Sequence, residues 1–321
     1  MPGADPRASG VAGPVLVTGG TGFIGARLTA ALKSRGADVR TFGRYAASAD
    51  VVGDLNDPAS VERAVRGART IFHLASLVHD RRPAAAPGHA VVGREGTAVL
   101  LDAASRAGAE SVIFVSSLAV YGASFSGPAR EDEACAPDTP YGRAKLEAEA
   151  LVRAWGRRGR RSACLRPAMT YGRGCKGNLP RLVRAIRRGV CPPIPVTAAR
   201  RSMVHVESVV DVLLLAAAAA TAEGRVFNVA DEETLSTGEI YERLMRAAGR
   251  QPPRWRVPVP VFRAAGWAGD LIERATGSSP FTSRGFETLF GPAVASTARL
   301  TAELGYRSPR SFSTSVTELI Q

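Results

Sequence analysis

The chain has 321 residues, of which 45% are hydrophobic and 22% charged, with 33 Gly and 21 Pro. These proportions exclude a collagen, a coiled coil and a disordered tail, and the length suffices for a large domain with a real core plus a smaller one. The formal net charge of +13 is almost wholly arginine, because only Lys33, Lys145 and Lys176 are lysines. Residues 1–13 have neither a basic start nor an apolar core, so a disordered lead-in is expected there rather than a signal peptide. Pro14 to Thr18 is a short apolar run ending in a glycine cluster, which predicts a strand. Phe23 to Ser34 has helical spacing and stops before Gly36. Asp38 to Phe42 alternates like a strand, and Gly53-Asp54-Leu55 closes a third. Helical signals at Ser60–Arg66, Gly96–Ala107 and Pro140–Trp155 then alternate with strand signals at Thr70–Ala75, Ser111–Ser116 and Ser162–Arg166. Such alternation predicts an α/β fold built on a doubly wound parallel sheet. Such a sheet binds its ligands beyond the carboxyl ends of its strands. After residue 167 proline and glycine become denser, with one more strand at Val226–Val229 and a helix at Ser236–Ala248. Ser236 and Glu239 there form a capping-box pattern. The division expected is 14–167 for dinucleotide binding and 168–321 for a smaller, mixed α/β substrate domain. Residues from about 203 to about 229 are expected to return to the large sheet.

Cys135, Cys164, Cys175 and Cys191 are too few and too scattered for a disulfide scaffold, and none forms a C-x-x-C pair. A reducing, cytoplasmic setting fits them. His73, His79, His89 and His205 show no metal-ligand spacing, so no metal is expected. His205, on a predicted strand, reads as a structural hydrogen-bonding residue. The apolar run from Val209 to Ala220 is too short for a membrane span and begins beside Glu207 and Asp211. The basic charge has three readings: solvated arginines, an acidic small-molecule ligand, or nucleic acid. No nucleic-acid motif accompanies it, and the arginine-rich stretches at 157–161 and 184–188 fall on helix-like segments. No nucleic-acid partner is therefore expected.

The strongest local motif is Thr18-Gly-Gly-Thr-Gly-Phe-Ile-Gly25, which follows the first strand and opens the first helix. Glycines permit the tight turn and let backbone N–H groups approach a pyrophosphate, which the helix N-terminus attracts. A dinucleotide site often shows an acid after the second strand, holding the ribose 2′-hydroxyl. Here Thr41-Phe42-Gly43-Arg44 offers none, and Arg44 could instead pair with a 2′-phosphate. That tilts the expectation to NADP over NAD. Asp54 could accept from the adenine amino group, or cap a helix. Tyr141 and Lys145 stand four apart on a predicted helix, which places them on one face. An ammonium there would lower the phenol's pKa and tune it for proton transfer. Ser117 follows an apolar strand, where a hydroxyl reaches either a ligand or a turn.

Together these residues resemble the extended short-chain dehydrogenase/reductase family, of the NAD-dependent epimerase/dehydratase type. The resemblance runs from Pro14 through TGGTGFIG at 18–25, GDL at 53–55, HLAS at 73–76, EGT at 95–97 and VSSLAVYG at 115–122. It continues through YGRAK at 141–145, LRPAMTYG at 165–172, RRSMVHVES at 200–208, FNVAD at 227–231 and LGYRSP at 304–309. It implies a Rossmann domain holding NAD or NADP through Gly19, Gly22, Phe23, Ile24, Gly25, Arg44, Asp54, Leu55, Leu74, Ala75 and Ser76, with Tyr141 and Lys145 at the nicotinamide end. It also implies a catalytic Ser117, Tyr141 and Lys145, with Ser117 four residues before Tyr121. Gly93 stands where many members carry Asn. Leu118 and Ala119 stand where dehydratases carry an Asp-Glu pair, and neither can move a proton, which disfavours dehydration. The carboxyl half resembles nucleotide-sugar epimerases and 4-ketoreductases, which implies that Asn178 and Arg201 contact a nucleotide diphosphate beside Ser117. A cytoplasmic homodimer follows from the same resemblance.

The favoured expectation is reduction of a nucleotide-linked 4-keto-sugar. Nucleotide-sugar 4-epimerisation with tightly held NAD comes second, and reduction of a non-sugar ketone third. A non-catalytic dinucleotide-binding regulator is the alternative of a different class, and the complete Ser117, Tyr141 and Lys145 set argues against it.

Overall fold

Alternate residues of the central strands enter two different cores, and this sets the architecture. In β1 (Val15–Thr18), Val15 and Val17 pack with Leu28 and Leu32 of α1 (Phe23–Ser34), while Leu16 packs on the opposite face with Val61 and Ala64 of α2 (Pro58–Val65). A strand buried on both faces is what a parallel sheet under two helical layers requires. The protein is described by a computed structural model, which covers residues 11, 13–45, 49–75, 91–279 and 281–320. Most of the N-terminal lead-in, together with Ser76, His79 and His89, lies outside the described residues.

In chain order, β2 (Val39–Gly43) and β3 (Val51–Val52) precede α2, whose first turn holds Pro58 and is capped by Asp57. Then come β4 (Thr70–His73), a wide helical turn at Val91–Glu95 leading into α3 (Gly96–Arg106), and β5 (Ser111–Val115). β6 (Phe125–Ala129), α4 (Pro140–Gly156), β7 (Arg161–Pro167) and β8 (Met169–Tyr171) follow. The second half holds α5 (Asn178–Arg188), β9 (Arg201–His205), α6 (Val206–Ala218), β10 (Arg225–Val229), β11 (Thr234–Leu235) and α7 (Thr237–Ala247). It closes with α8 (Val259–Thr276), α9 (Ser283–Phe290), β12 (Ala293–Ala295), α10 (Ala298–Leu304) and α11 (Phe312–Ser315).

The large sheet has the order β10-β7-β5-β4-β1-β2-β3, and every pair in it is parallel. The chain winds outward from β1 to β3, then crosses to β4 and winds the other way. Its switch point therefore lies between β1 and β4, where a doubly wound sheet opens a ligand crevice. This is the Rossmann fold that the sequence implied. A second sheet, β11-β9-β12-β6 with β8 beside β9, mixes parallel and antiparallel pairs.

Two placements differ from the sequence reading. β6 lies within the first half of the chain yet joins the smaller sheet, and its Ser-Gly-Pro centre carries no strand periodicity. β9 also pairs in the smaller sheet, so the return to the large one is made by α6 and β10. α6 is the apolar run near Val209; it lies in the core against the sheet. No helix among the described residues is long and apolar enough to cross a membrane.

Candidate functional site

The glycine turn closes the crevice at the end of β1. Gly19 has φ +70°, and a Cβ there would meet the Ala75 nitrogen at 2.8 Å. Gly25 lies so close to the Gly19 carbonyl that a Cβ would meet its oxygen at 2.1 Å. The two glycines thus draw the start of α1 and the Leu74-Ala75 end of β4 onto one turn. Gly22 is the N-cap of α1 and no side chain caps the helix, so the N–H groups of its first turn, Phe23 and Ile24 among them, are left for an anion. Beneath, Thr18 Oγ1 meets His73 Nδ1 at 2.7 Å, and His73 Nε2 meets Thr97 Oγ1 at 3.0 Å. Burial pushes the His73 imidazole down to about 3, so it is a neutral strut. This cradle fits the pyrophosphate of a dinucleotide, because the uncapped N–H groups of α1 open on a turn that only bare Cα atoms at Gly19 and Gly25 let close so tightly.

At the rim, Arg44 is exposed, with its guanidinium 5.9 Å from the Tyr45 ring. An acid does approach β2, which sequence reasoning missed. Asp50 accepts from the Thr41 N–H and hydroxyl, both at 2.8 Å, and these bonds hold its carboxyl below the usual range. Asp50 is thereby tied two residues short of the strand end that Arg44 follows. Asp54 Oδ1 accepts from Asn56 N at 2.9 Å, and the cap of α2 is Asp57 instead. Leu55 is buried against α2 and α3.

Tyr141, Lys145 and Glu149 form one row on α4, which starts where Thr139 Oγ1 accepts from Gly142 N at 2.7 Å. Ser117, at the end of β5, accepts from Ala119 N at 3.2 Å, and its hydroxyl stands beside the Tyr141 phenol, whose pKa it lowers. Lys145 is buried; its Nζ donates to Val115 O at 2.6 Å and lies 6.0 Å from the Tyr141 ring centre. The structure brings together the three residues singled out for catalysis. It corrects their electrostatics. Burial of the hydroxyl pushes Tyr141 up to about 12, opposed only by the Ser117 hydrogen bond. Burial also pushes Lys145 down to about 8, against the pull of Glu149. Desolvation, not the ammonium, dominates the phenol.

Two further features hold the row. Gly93 packs against Ala144, and a Cβ there would meet the Ala144 Cβ at 2.6 Å. A bare Cα at 93 is therefore what lets the turn before α3 approach α4 between Tyr141 and Lys145. Glu149 takes both prongs of Arg166, at 2.9 and 2.7 Å, and Arg166 Nη1 donates to Tyr121 OH at 2.7 Å. Burial opposes that guanidinium's charge, but the Glu149 hydrogen bonds outweigh it and keep Arg166 above its ordinary range. Neither Glu149 nor Arg166 was singled out in the sequence, although Glu149 continues the four-residue spacing from Tyr141.

A cavity of about 670 Å³, lined by none of Ser117, Tyr141 and Lys145, opens between the segment after Tyr121 and the pair α8 and α9. Gly122 to Ser124 and Asp138 line one wall; Arg263, Trp267 and Arg284 line the other. Arg284 reaches Asp138 at 3.2 Å, and Arg263 lies 5.4 Å from the Phe286 ring centre. The sequence reading passed over Arg263 and Arg284 because it assigned no helix to their segments. Asn178 is the exposed first residue of α5, and its side chain makes no hydrogen bond among the described residues. Arg201 is not a solvated surface arginine. Its Nη1 donates to the Thr288 carbonyl and, at 3.0 Å, to Gly291 O, tying β9 to the end of α9. Neither Asn178 nor Arg201 lines the cavity. His205 caps α6 and meets Glu318 at 3.1 Å, a structural position.

A doubly wound parallel sheet, a glycine cradle at its switch point and a Ser-Tyr-Lys cluster beside it define a dinucleotide-dependent enzyme of the extended short-chain dehydrogenase/reductase class. The chain belongs to the NAD dependent epimerase/dehydratase family, which it matches over residues 15–230. It is 29% identical over 284 residues to a UDP-glucose 4-epimerase of Vibrio cholerae, covering 82% of this chain and 85% of that one. It is 30% identical over 282 residues to a 3 beta-hydroxysteroid dehydrogenase/Delta 5-->4-isomerase of Mycobacterium tuberculosis, covering 79% and 75%. Among solved structures, MoeE5 in complex with UDP-glucuronic acid and NAD superposes with a TM-score of 0.76 at 26% identity, over 96% of this chain and 98% of that one. The protein is thus an NAD-dependent enzyme of the oxidoreductase and epimerase type.

Proposed function

We propose that the protein transfers hydride reversibly at C4 of a sugar linked to a nucleotide diphosphate, as a 4-epimerase. The observation that carries this reading is the grouping of Ser117 and Tyr141 beside the buried Lys145, at the crevice where the glycine cradle ends. When bound, NAD supplies the carbon that accepts and returns the hydride. Gly19, Gly22, Phe23, Ile24 and Gly25 would hold its pyrophosphate, with Asp54, Leu55, Leu74, Ala75 and Ser76 around the adenosine and ribose. Tyr141 moves the proton at the sugar O4, and Ser117 donates a hydrogen bond to the same oxygen. Lys145, anchored on Val115 O, fixes the Tyr141 side and offers its remaining donors to a ribose hydroxyl. Arg263 and Arg284 are suited to a diphosphate because guanidinium donors bind it bidentately, and Asn178 and Arg201 remain candidates for the nucleotide end. Relatives named for UDP-glucose and UDP-glucuronic acid support this substrate class. We infer a cytoplasmic homodimer as the working form, which light scattering would check.

Reduction of a 4-keto-sugar is the second reading. Arg44 favours it, because an exposed guanidinium after β2 suits the 2′-phosphate of NADP. One experiment separates the two. Purified protein is denatured, released nucleotide is identified, and the native enzyme is incubated with UDP-glucose. Stoichiometric NAD and formation of UDP-galactose support epimerisation. No retained nucleotide, with NADPH consumed only when a 4-keto-sugar nucleotide is added, would replace it with reduction.

A further inference from the structure

Helix α8 exposes the face that a globular helix normally buries. Of its eighteen residues only Gly266 and Gly269 are fully buried; Gly266 faces the start of α9 and Gly269 the segment just before it. Phe262 stacks on the same side, 5.1 Å from the Phe290 ring, and Asp270 turns inward to accept from Ser283 N at 2.9 Å. At about 100° per residue, Val261, Ala265, Trp267, Ala268, Leu271 and Ile272 share an arc of about 160° that contains no charged residue. All six are exposed, Trp267 and Leu271 by 63% and 65%. A continuous apolar patch of this kind marks an interaction surface.

The charges around the patch identify what it meets. Arg263 and Arg274 flank the arc on the Trp267 side, and Arg254 precedes the helix beside Trp255, which is also exposed. These three arginines make no ion pair among the described residues. The only acids on the helix are Asp270, which is turned inward, and Glu273, which lies off the arc. A second copy of this chain would present the same arginine-edged face and no complementary acidic one. α8 holds two Arg and two acids in all, but both Arg lie at the edge of the arc and neither acid does; a phosphate-bearing lipid surface has the sign opposite to that edge, and helices with a Trp-containing apolar face lie in such surfaces.

We propose that α8 docks the protein onto an anionic lipid bilayer, with the arc from Val261 to Ile272 in the headgroup region and Arg254 and Arg274 against lipid phosphates. Trp267 and Arg263 also belong to the wall of the 670 Å³ cavity, so docking sets that cavity beside the headgroups. The proposal does not depend on which sugar is processed.

Co-sedimentation of the full chain with vesicles tests it, using phosphatidylcholine alone and phosphatidylcholine mixed with phosphatidylglycerol. The protein should sediment with the mixed vesicles at low salt, and the L271E/I272E variant should bind them on the order of tenfold more weakly. The R254Q/R274Q variant leaves the apolar face intact, and so keeps the test open should the first variant fail to fold. It should also lose binding at low salt. Protein that stays in the supernatant with both vesicles would overturn the proposal, as would binding unchanged in both variants. Light scattering that shows L271E/I272E falling to a smaller assembly, with no vesicle binding by the parent, would give the face to a second copy and overturn it too.

Discussion

Helices α4 and α8 distribute polarity in opposite ways. α4 turns a row of Tyr141, Lys145 and Glu149 inward, and most of that row's polar atoms find partners: Ser117 for the phenol, Val115 O for the ammonium, Arg166 for the carboxylate. α8 turns apolar residues outward and buries little beyond two glycines. The contrast matches the role proposed for each helix. Buried charge is tolerated on α4 because it is bonded, in the row proposed to carry the chemistry. Exposed apolar surface is tolerated on α8 where another surface covers it. The dinucleotide half is accordingly a closed, cross-braced body, and the cap around α8 is its open side.

The bracing of α4 gives the largest expected effect on stability. Glu149→Ala leaves the Arg166 guanidinium buried without its carboxylate, and should lower unfolding free energy by about 3–5 kcal/mol in urea titrations. A loss under about 1 kcal/mol would mean that the pair braces nothing. Gly93→Asn comes next. Its Cβ would strike Ala144 and lever the turn before α3 away from α4, which should cost about 1–3 kcal/mol and lower turnover. Normal stability and turnover would show that the close approach is slack.

A smaller effect belongs to His73 and has a definite sign. Unfolded, its imidazole takes a proton below about pH 6.5; folded, burial holds it neutral down to about 3. Protons therefore favour unfolding between those values, by about 1.4 kcal/mol per pH unit from this group alone. Urea titrations as pH falls should show that slope, reduced by one proton's worth in His73→Gln. An unchanged slope would assign the acid sensitivity to other groups. The smallest effect is one of selectivity. Arg44→Asp should weaken NADP more than NAD, and equal weakening of both would remove the guanidinium from the 2′-phosphate.

The large sheet was legible because its signals are local. Short apolar runs, a glycine turn and alternating helices predicted a doubly wound parallel sheet, whose strand order and switch point only the structure gave, and the four-residue spacing of Tyr141 and Lys145 exposed the row on α4. The acidity expected of Tyr141 was not borne out, because spacing reports proximity and desolvation depends on everything packed around the group. β6 and α8 stayed hidden for a related reason. The Ser-Gly-Pro centre of β6 has no period of two. α8 buries only two small residues and leaves its larger apolar ones outside, so its buried face is set by where α9 lies, which no local pattern encodes. Arg263 and Arg284 became visible as cavity residues only once those helices were placed.

The account rests on Tyr141 as the group that moves the proton at the substrate oxygen. Its most direct test measures turnover and NAD affinity of Tyr141→Phe side by side. The account predicts that turnover falls on the order of a hundredfold or more while NAD affinity stays within a few-fold of the parent. Retained turnover would contradict it, whatever the fate of the cofactor.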